Sequence, residues 1–215
     1  PTPADGWDTH ETIIHLGTAD YAASEAVLNP EGFAELKVKM ASGDLGLHDM
    51  GGADTHAMSG AEVWAWFEAE RTRMTDAFRA LGPKDRIPWF GPDMSALSFA
   101  TARLMETWSH SHDVADTFGR EYPKTDRLRH VAHIGVTTRG WSYANRGLAV
   151  PDSTVRVELT APGGDVWTWG PDDADGVVRG DAYEFCLLVT QRRHHSEVAL
   201  QTEGAAAQEW VEIAQ

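Results

Sequence analysis

The amino-acid sequence predicts an α+β protein in which a helical region precedes a smaller region of mixed helices and strands. Two observations divide the 215 residues in this way. As far as Gly147 the apolar residues recur at helical spacing, whereas from Val155 they alternate with charged residues as in a strand. We therefore expect a helical domain over residues 1–148 and a small α+β domain over residues 149–215.

The helices of the first region have recognisable starts and ends. Asp8 is a suitable N-cap for a helix that runs toward Leu28, where an Asn-Pro pair breaks it. Ser59 and Glu62 form a capping-box pattern ahead of a strongly periodic helix. The other predicted segments are a helix over 33–40, a loop over 43–54, a proline-rich loop over 82–93, a helix over 94–118 and a helix over 125–147.

The second region is predicted to contain short strands joined by turns. Residues 155–159 alternate apolar and charged side chains, and a Pro-Gly-Gly-Asp turn leads into a returning strand over 166–169. The remaining predicted elements are a short strand at 177–178, a helix over 181–193, a strand over 198–202 and a last helix over 205–214.

The composition indicates a small molecule as the partner, rather than a nucleic acid or a membrane. The chain has 33 acidic and 18 basic residues, a formal charge of −15, and no basic cluster to neutralise phosphates. No apolar run approaches the ~20 residues that cross a bilayer. Cys186 is the only cysteine, so no internal disulfide can form, and we expect a cytoplasmic protein.

The predicted helix over 94–118 carries three polar residues on one side. Glu106, His110 and Asp113 are four and three residues apart, so their side chains stack along one face. Burying these groups without partners would be costly, and a metal ion would satisfy them. His15 lies within an apolar stretch of the first helix and is a suitable donor to the same ion.

Two imidazoles and one carboxylate are typical ligands of a divalent metal, and they leave positions open for water or substrate. Asp113 could then accept a hydrogen bond from a ligand imidazole. The spacing also fits an ordinary pair of Glu106 and His110 on a solvated face, with His15 a core histidine. Arg103, one turn before Glu106, fits either a clamp for a substrate carboxylate or a structural ion pair.

Three stretches resemble the family of the mycothiol-dependent maleylpyruvate isomerases and their actinobacterial relatives, within the DinB-like metal-binding superfamily. Residues 3–16 (PADGWDTHETIIHL) look like the start of the family's first ligand helix, and residues 103–113 (RLMETWSHSHD) look like its second. Residues 183–193 (YEFCLLVTQRR) are similar to a helix of the C-terminal domain that often accompanies this bundle. The similarity spans nearly the whole chain, because the three stretches lie near its start, in its middle and near its end.

The resemblance implies a four-helix bundle that holds a divalent metal, usually zinc, between His15, Glu106 and His110. It also implies a small C-terminal α+β domain similar to sterol-carrier modules, and a first bundle helix that precedes the Gly-Trp motif and is missing from the sequence. In this family the metal binds the substrate or a low-molecular-weight thiol such as mycothiol. A cation lowers the pKa of a bound thiol, and the thiolate is the nucleophile.

Three functions are compatible with these features. The first is a metal-dependent enzyme that uses a low-molecular-weight thiol for isomerase or transferase chemistry on a small molecule. The second keeps the metal but uses it to activate water, which gives a hydrolase. The third is a metal-binding or ligand-binding protein without catalytic activity, whose α+β domain supplies an apolar pocket.

Overall fold

The computed structural model describes residues 1–46 and 54–214. These residues form two compact units, Pro1–Arg120 and Glu121–Gln215. The first unit is helical and the second combines a four-stranded mixed sheet with helices, which confirms the predicted α+β class. The helical segment over 125–147 lies in the second unit, and the domain boundary at 148/149 stays a prediction.

Long helices make up most of the first unit. They are α1 (Thr9–Leu28), α2 (Pro30–Ser42), α3 (Gly60–Arg79) and α4 (Ala96–Thr117). Helix α1 packs against the other three, and its small buried residues allow close approach. A β-carbon added at Gly17 would lie 2.3 Å from the ring of Trp66, so α1 and α3 require glycine at this position.

The helix starts that the sequence predicted are confirmed. The Asp8 carboxylate accepts a hydrogen bond from the Glu11 amide, and Ser59 and Glu62 form the full capping box of α3. Each such cap contributes about 1 kcal/mol to helix stability. Helix α2 begins at Pro30, three residues before the predicted start, because the Asn29 side chain caps it and proline suits the first turn.

A short hairpin, missed by the sequence prediction, interrupts the proline-rich segment before α4. Strands β1 (Arg86–Ile87) and β2 (Met94–Ser95) pair antiparallel, although the sequence predicted a loop over 82–93 and a helix from residue 94. Two-residue strands are too short to show alternation, so periodicity could not reveal them. Of the loop predicted over 43–54, residues 47–53 lie outside the described residues.

The second unit is built around a mixed sheet. Its elements are α5 (Leu128–Thr137), α6 (Arg139–Ala144), β3 (Val155–Thr160), β4 (Val166–Trp169), β5 (Gly176–Asp181), α7 (Ala182–Val189), β6 (Gln201–Glu203) and α8 (Ala205–Ile213). The strand order is β4-β3-β5-β6, with β3 and β5 parallel and the other neighbours antiparallel. The predicted hairpin between β3 and β4 is confirmed, and the likeness to sterol-carrier modules stays a prediction.

Three predicted boundaries in the second unit were wrong. The helix predicted over 125–147 is two helices, because Thr138 leaves the helical conformation with φ −99° and ψ 13°. The helix predicted to reach Arg193 ends at Val189, and Gln191 then adopts a left-handed φ of 62°. The last strand lies over Gln201–Glu203 instead of 198–202. None of the described helices is long and apolar enough to cross a membrane.

Candidate metal centre

His15, Glu106 and His110, which the sequence predicted as ligands, lie together in the first unit; we call them the His–Glu–His cluster. One ligand atom from each residue lies within 4.8 Å of the other two. Glu106 Oε2 is 3.5 Å from His15 Nε2 and 3.6 Å from His110 Nε2. The geometry thus brings the three donor atoms close together, and their coordination of a metal stays a prediction.

Two helices position the cluster. Glu106 and His110 are one turn apart on α4, and His15 faces them from α1. An ion pair fixes the same two helices one turn away, where the Arg103 guanidinium donates to Asp20 Oδ1 from Nε at 3.2 Å and from a terminal nitrogen at 3.1 Å. Because both partners are buried, this pair holds the relative height of α1 and α4.

The ion pair extends to a third helix. Arg71 of α3 donates to the second Asp20 oxygen at 2.5 Å and to Thr107 Oγ1 at 2.9 Å. We call Asp20, Arg71 and Arg103 the Asp20 network. Of the two roles that the sequence left open for Arg103, the structure contains the ion pair, and binding of a substrate carboxylate by Arg103 stays a prediction.

Asp113 lies directly behind His110. Its Oδ2 is 3.0 Å from His110 Nδ1, and both side chains are buried. An ionised carboxylate only accepts hydrogen bonds, so Nδ1 carries the proton and Nε2 faces Glu106. Carboxylates orient metal-binding imidazoles through contacts of this kind, and this role of Asp113 stays a prediction.

The electrostatics of the cluster suit a cation. Burial lowers the pKa of His15 below its usual value of 6.5, against the opposing effect of Glu106, so this imidazole is neutral near neutral pH. Burial would raise the pKa of Glu106, but the neighbouring imidazoles of His110 and His15 and the charge of Arg103 hold it well below its usual range. Uncharged imidazole and ionised carboxylate are the protonation states that bind a divalent metal such as zinc.

Trp7 forms one wall of the cluster, which the sequence prediction missed. Its ring stacks on His110 with centroids 5.4 Å apart and contacts the His15 ring at 4.8 Å. A turn places it there: the Thr2 amide donates to the Trp7 carbonyl at 2.8 Å, and Gly6 has a φ of +77°. The signal in the sequence was the Gly-Trp pair immediately before the cap of α1.

A cavity of about 330 Å³ opens beside the cluster. His15, Glu106 and Arg103 are its polar lining residues, and the rest of the lining is apolar. The apolar lining consists of Ala19, Met40, Trp89, Phe90, Met94, Phe99 and Ala102. A pocket with a few polar groups at one end and apolar walls elsewhere is typical of small-molecule sites.

Two protein-family models match parts of this chain. A family model described as the mycothiol maleylpyruvate isomerase N-terminal domain matches residues 1–115, which include the whole His–Glu–His cluster. A second model, described as wyosine base formation, matches residues 151–203. Two proteins of Mycobacterium tuberculosis, one from each of two strains and both named as uncharacterized, are 44% identical over all 215 residues, which is 84% of their own length.

Solved structures resemble the chain in fold. The crystal structure of the mycothiol-dependent maleylpyruvate isomerase aligns with a TM-score of 0.56 and that of a mutant of the same enzyme with 0.55. Each alignment covers 96% of this chain and 81% of the other, at 14% sequence identity. At this identity the likeness concerns the fold.

Proposed function

The chain belongs to the family of the mycothiol maleylpyruvate isomerase N-terminal domain, and from this membership we propose that it is a divalent-metal-dependent enzyme. It would use a low-molecular-weight thiol such as mycothiol for isomerase or transferase chemistry on a small molecule. The observation that carries the proposal is the convergence of His15, Glu106 and His110 within 4.8 Å. The −15 charge supports a small-molecule partner over a nucleic acid.

Each residue of the proposed site has a distinct part. His15, Glu106 and His110 would hold the metal, most suitably zinc, through two imidazole nitrogens and one carboxylate oxygen. Asp113 would fix the orientation and the tautomer of His110. When bound, a divalent cation supplies Lewis acidity that lowers the pKa of a thiol. Trp7 covers the imidazole rings and limits the access of water to them.

The thiol must come from outside the chain. Cys186 is the only cysteine in the sequence, and it is buried in α7 of the second unit. Burial raises the pKa of its thiol, so it stays protonated and unreactive at neutral pH. No cysteine is therefore available as an internal nucleophile, which favours an external thiol cofactor.

The decisive experiment is a thiol titration of cobalt-substituted protein. We expect mycothiol to change the visible spectrum of the cobalt and to add a thiolate-to-metal band in the near ultraviolet. Cys186→Ala is the matched control: it should respond as the unmodified protein does, because its thiol is not the one observed. An unchanged spectrum at saturating thiol would contradict the proposal.

The same preparation separates the two alternatives. Turnover of ester or amide substrates without thiol would indicate a hydrolase that uses metal-activated water. A tightly held small molecule in the purified protein, with no turnover in either assay, would indicate a binding protein. We propose the thiol-dependent enzyme because the family name associates this domain with mycothiol.

A further inference from the structure

The cavity beside the His–Glu–His cluster has both polar and apolar lining residues. Glu106, His15 and Arg103 are its polar lining residues, and most of the other lining side chains are aromatic or thioether. On α4, Phe99 lies one turn before Arg103 and two turns before Glu106, which separates a polar end from an apolar far end. The volume of about 330 Å³ is at the lower end of the range for small-molecule sites. This space suits one ring or a short branched chain.

The far end is rigid because its rings support one another. Trp89 contacts Phe99 with ring centroids 4.5 Å apart and Phe90 at 4.9 Å, and Phe33 stacks on Trp89 with planes 7° apart. Phe99 and Phe33 are buried in the core of the first unit. Faces and edges of fixed aromatic rings favour a flat, uncharged guest.

The apolar far end of the cavity disfavours an anionic guest. Arg103 is the one Lys or Arg among the described lining residues. Two of its nitrogens already donate to Asp20, which is fully buried, and one of them also lies 3.5 Å from the Leu16 carbonyl. A carboxylate at the far end of the cavity would therefore lose its water among apolar rings without an adjacent Lys or Arg from the described lining, which is costly.

We propose, resting on the function proposed above, that the substrate carries an uncharged aromatic or short branched apolar group. This group fills the cavity, and the reacting end of the substrate lies beside the His–Glu–His cluster. Dicarboxylates are poor substrates for the same reason: their second carboxylate would lie among Trp89, Phe90 and Phe99. The aromatic hairpin between β1 and β2 thus determines specificity.

The test compares two chelators that present the same hydroxamate to the metal. Phenylacetohydroxamate carries a ring and succinic monohydroxamate carries a carboxylate at similar length. Both are titrated into cobalt-loaded protein, and dissociation constants are read from the cobalt spectrum. We expect the phenyl compound to bind at least tenfold more tightly. Equal affinities, or tighter binding of the carboxylate, would overturn the inference.

Variants test whether the preference for the phenyl compound arises in the cavity. Ala102→Leu fills space at the cavity wall and should remove most of the tenfold difference, whereas Ala100→Leu, on the exposed side of the same helix, should leave it intact. Trp89→Leu, which removes ring surface without adding volume, should reduce the preference as well. A preference unchanged in both Ala102→Leu and Trp89→Leu would show that another surface binds the ring.

A metal-free arm distinguishes this inference from the proposed function. The ring preference comes from the cavity walls, so the phenyl compound should still bind the metal-free protein more tightly than the carboxylate, at lower affinity, as measured by titration calorimetry. If the protein takes up no metal but keeps this preference, the metal-dependent function fails and the cavity inference stands. If metal and thiol bind as expected but the preference is absent, only the cavity inference fails.

Discussion

Two polar clusters lie one helical turn apart between α1 and α4, and they differ in the distances between their polar groups. In the Asp20 network, hydrogen bonds of 2.5 to 3.2 Å join one carboxylate to two guanidinium groups. In the His–Glu–His cluster, the carboxylate lies 3.5 and 3.6 Å from two imidazoles. The usual range for hydrogen bonds from nitrogen to oxygen is about 2.7–3.2 Å; no distance of the first set exceeds it, and both distances of the second set do.

From this difference we infer that the Asp20 network stabilises the fold and that the His–Glu–His cluster serves the function. The Asp20 network joins opposite charges through direct hydrogen bonds. The His–Glu–His cluster joins groups that can bind a cation, and we expect a shared ion to fill its wider spacing. We therefore expect damage to the first cluster to unfold the protein and damage to the second to remove the metal.

The largest expected effect is on folding. Asp20→Ala leaves the buried guanidinium of Arg103, only 7% exposed, without its carboxylate. We expect the free energy of unfolding of the metal-free protein to fall by about 3–5 kcal/mol, measured by urea denaturation. Asp76→Ala is the matched control: its ion pair with Arg79 is 60% and 76% exposed and should contribute about 0–1 kcal/mol.

The second effect concerns stabilisation by metal. Free zinc at 100 times its dissociation constant should raise the free energy of unfolding by about 2.7 kcal/mol. Glu106→Gln keeps the shape of the side chain but removes its charge, so this increase should vanish. Glu68→Gln, at an exposed position of α3, should retain it. An equal zinc-dependent increase in Glu106→Gln would show that Glu106 is not a ligand.

A smaller effect, on metal affinity, is expected from a substitution at Asp113. Asp113→Asn keeps a hydrogen-bond acceptor but removes the charge that fixes the His110 tautomer. Metal affinity should fall about 10–100-fold, as measured by competition with a chromogenic chelator, while the helical circular dichroism is unchanged. An affinity within twofold of the unmodified protein would exclude an orienting role for Asp113.

The smallest effect concerns Trp7. Its ring is close enough to both imidazoles that a paramagnetic ion bound there should quench its fluorescence. Trp7→Phe keeps an aromatic wall, so the affinity for Co²⁺ should change by less than about 1 kcal/mol. The cobalt-dependent quenching of the protein should decrease nonetheless, and Trp64→Phe, at an exposed position, serves as the control.

Local patterns predicted the parts of the structure that local forces determine. Caps at Asp8 and Ser59 are set by hydrogen bonds within one turn, and the Glu106–His110 spacing follows from helix geometry. The convergence of His15 with them, across 91 residues, rested on its apolar context and on family resemblance. Sequence patterns within one helix could not have predicted this contact between two helices.

Features that depend on long-range packing were not predicted. The sequence left the role of Arg103 open because its partner Asp20 lies 83 residues away. The hairpin between β1 and β2 is too short for periodicity to reveal, so the position of Trp89 at the cavity was unknown. The break at Thr138 was hidden because apolar spacing continues across it.

The most direct test is the metal content of the purified protein, measured by elemental analysis. We predict about one equivalent of a divalent metal in the unmodified protein and none in His110→Ala. His112→Ala, at another buried histidine of α4, should keep its metal. A protein purified without chelators that contains no metal, and takes none up on dialysis against zinc, would contradict a metal-dependent function.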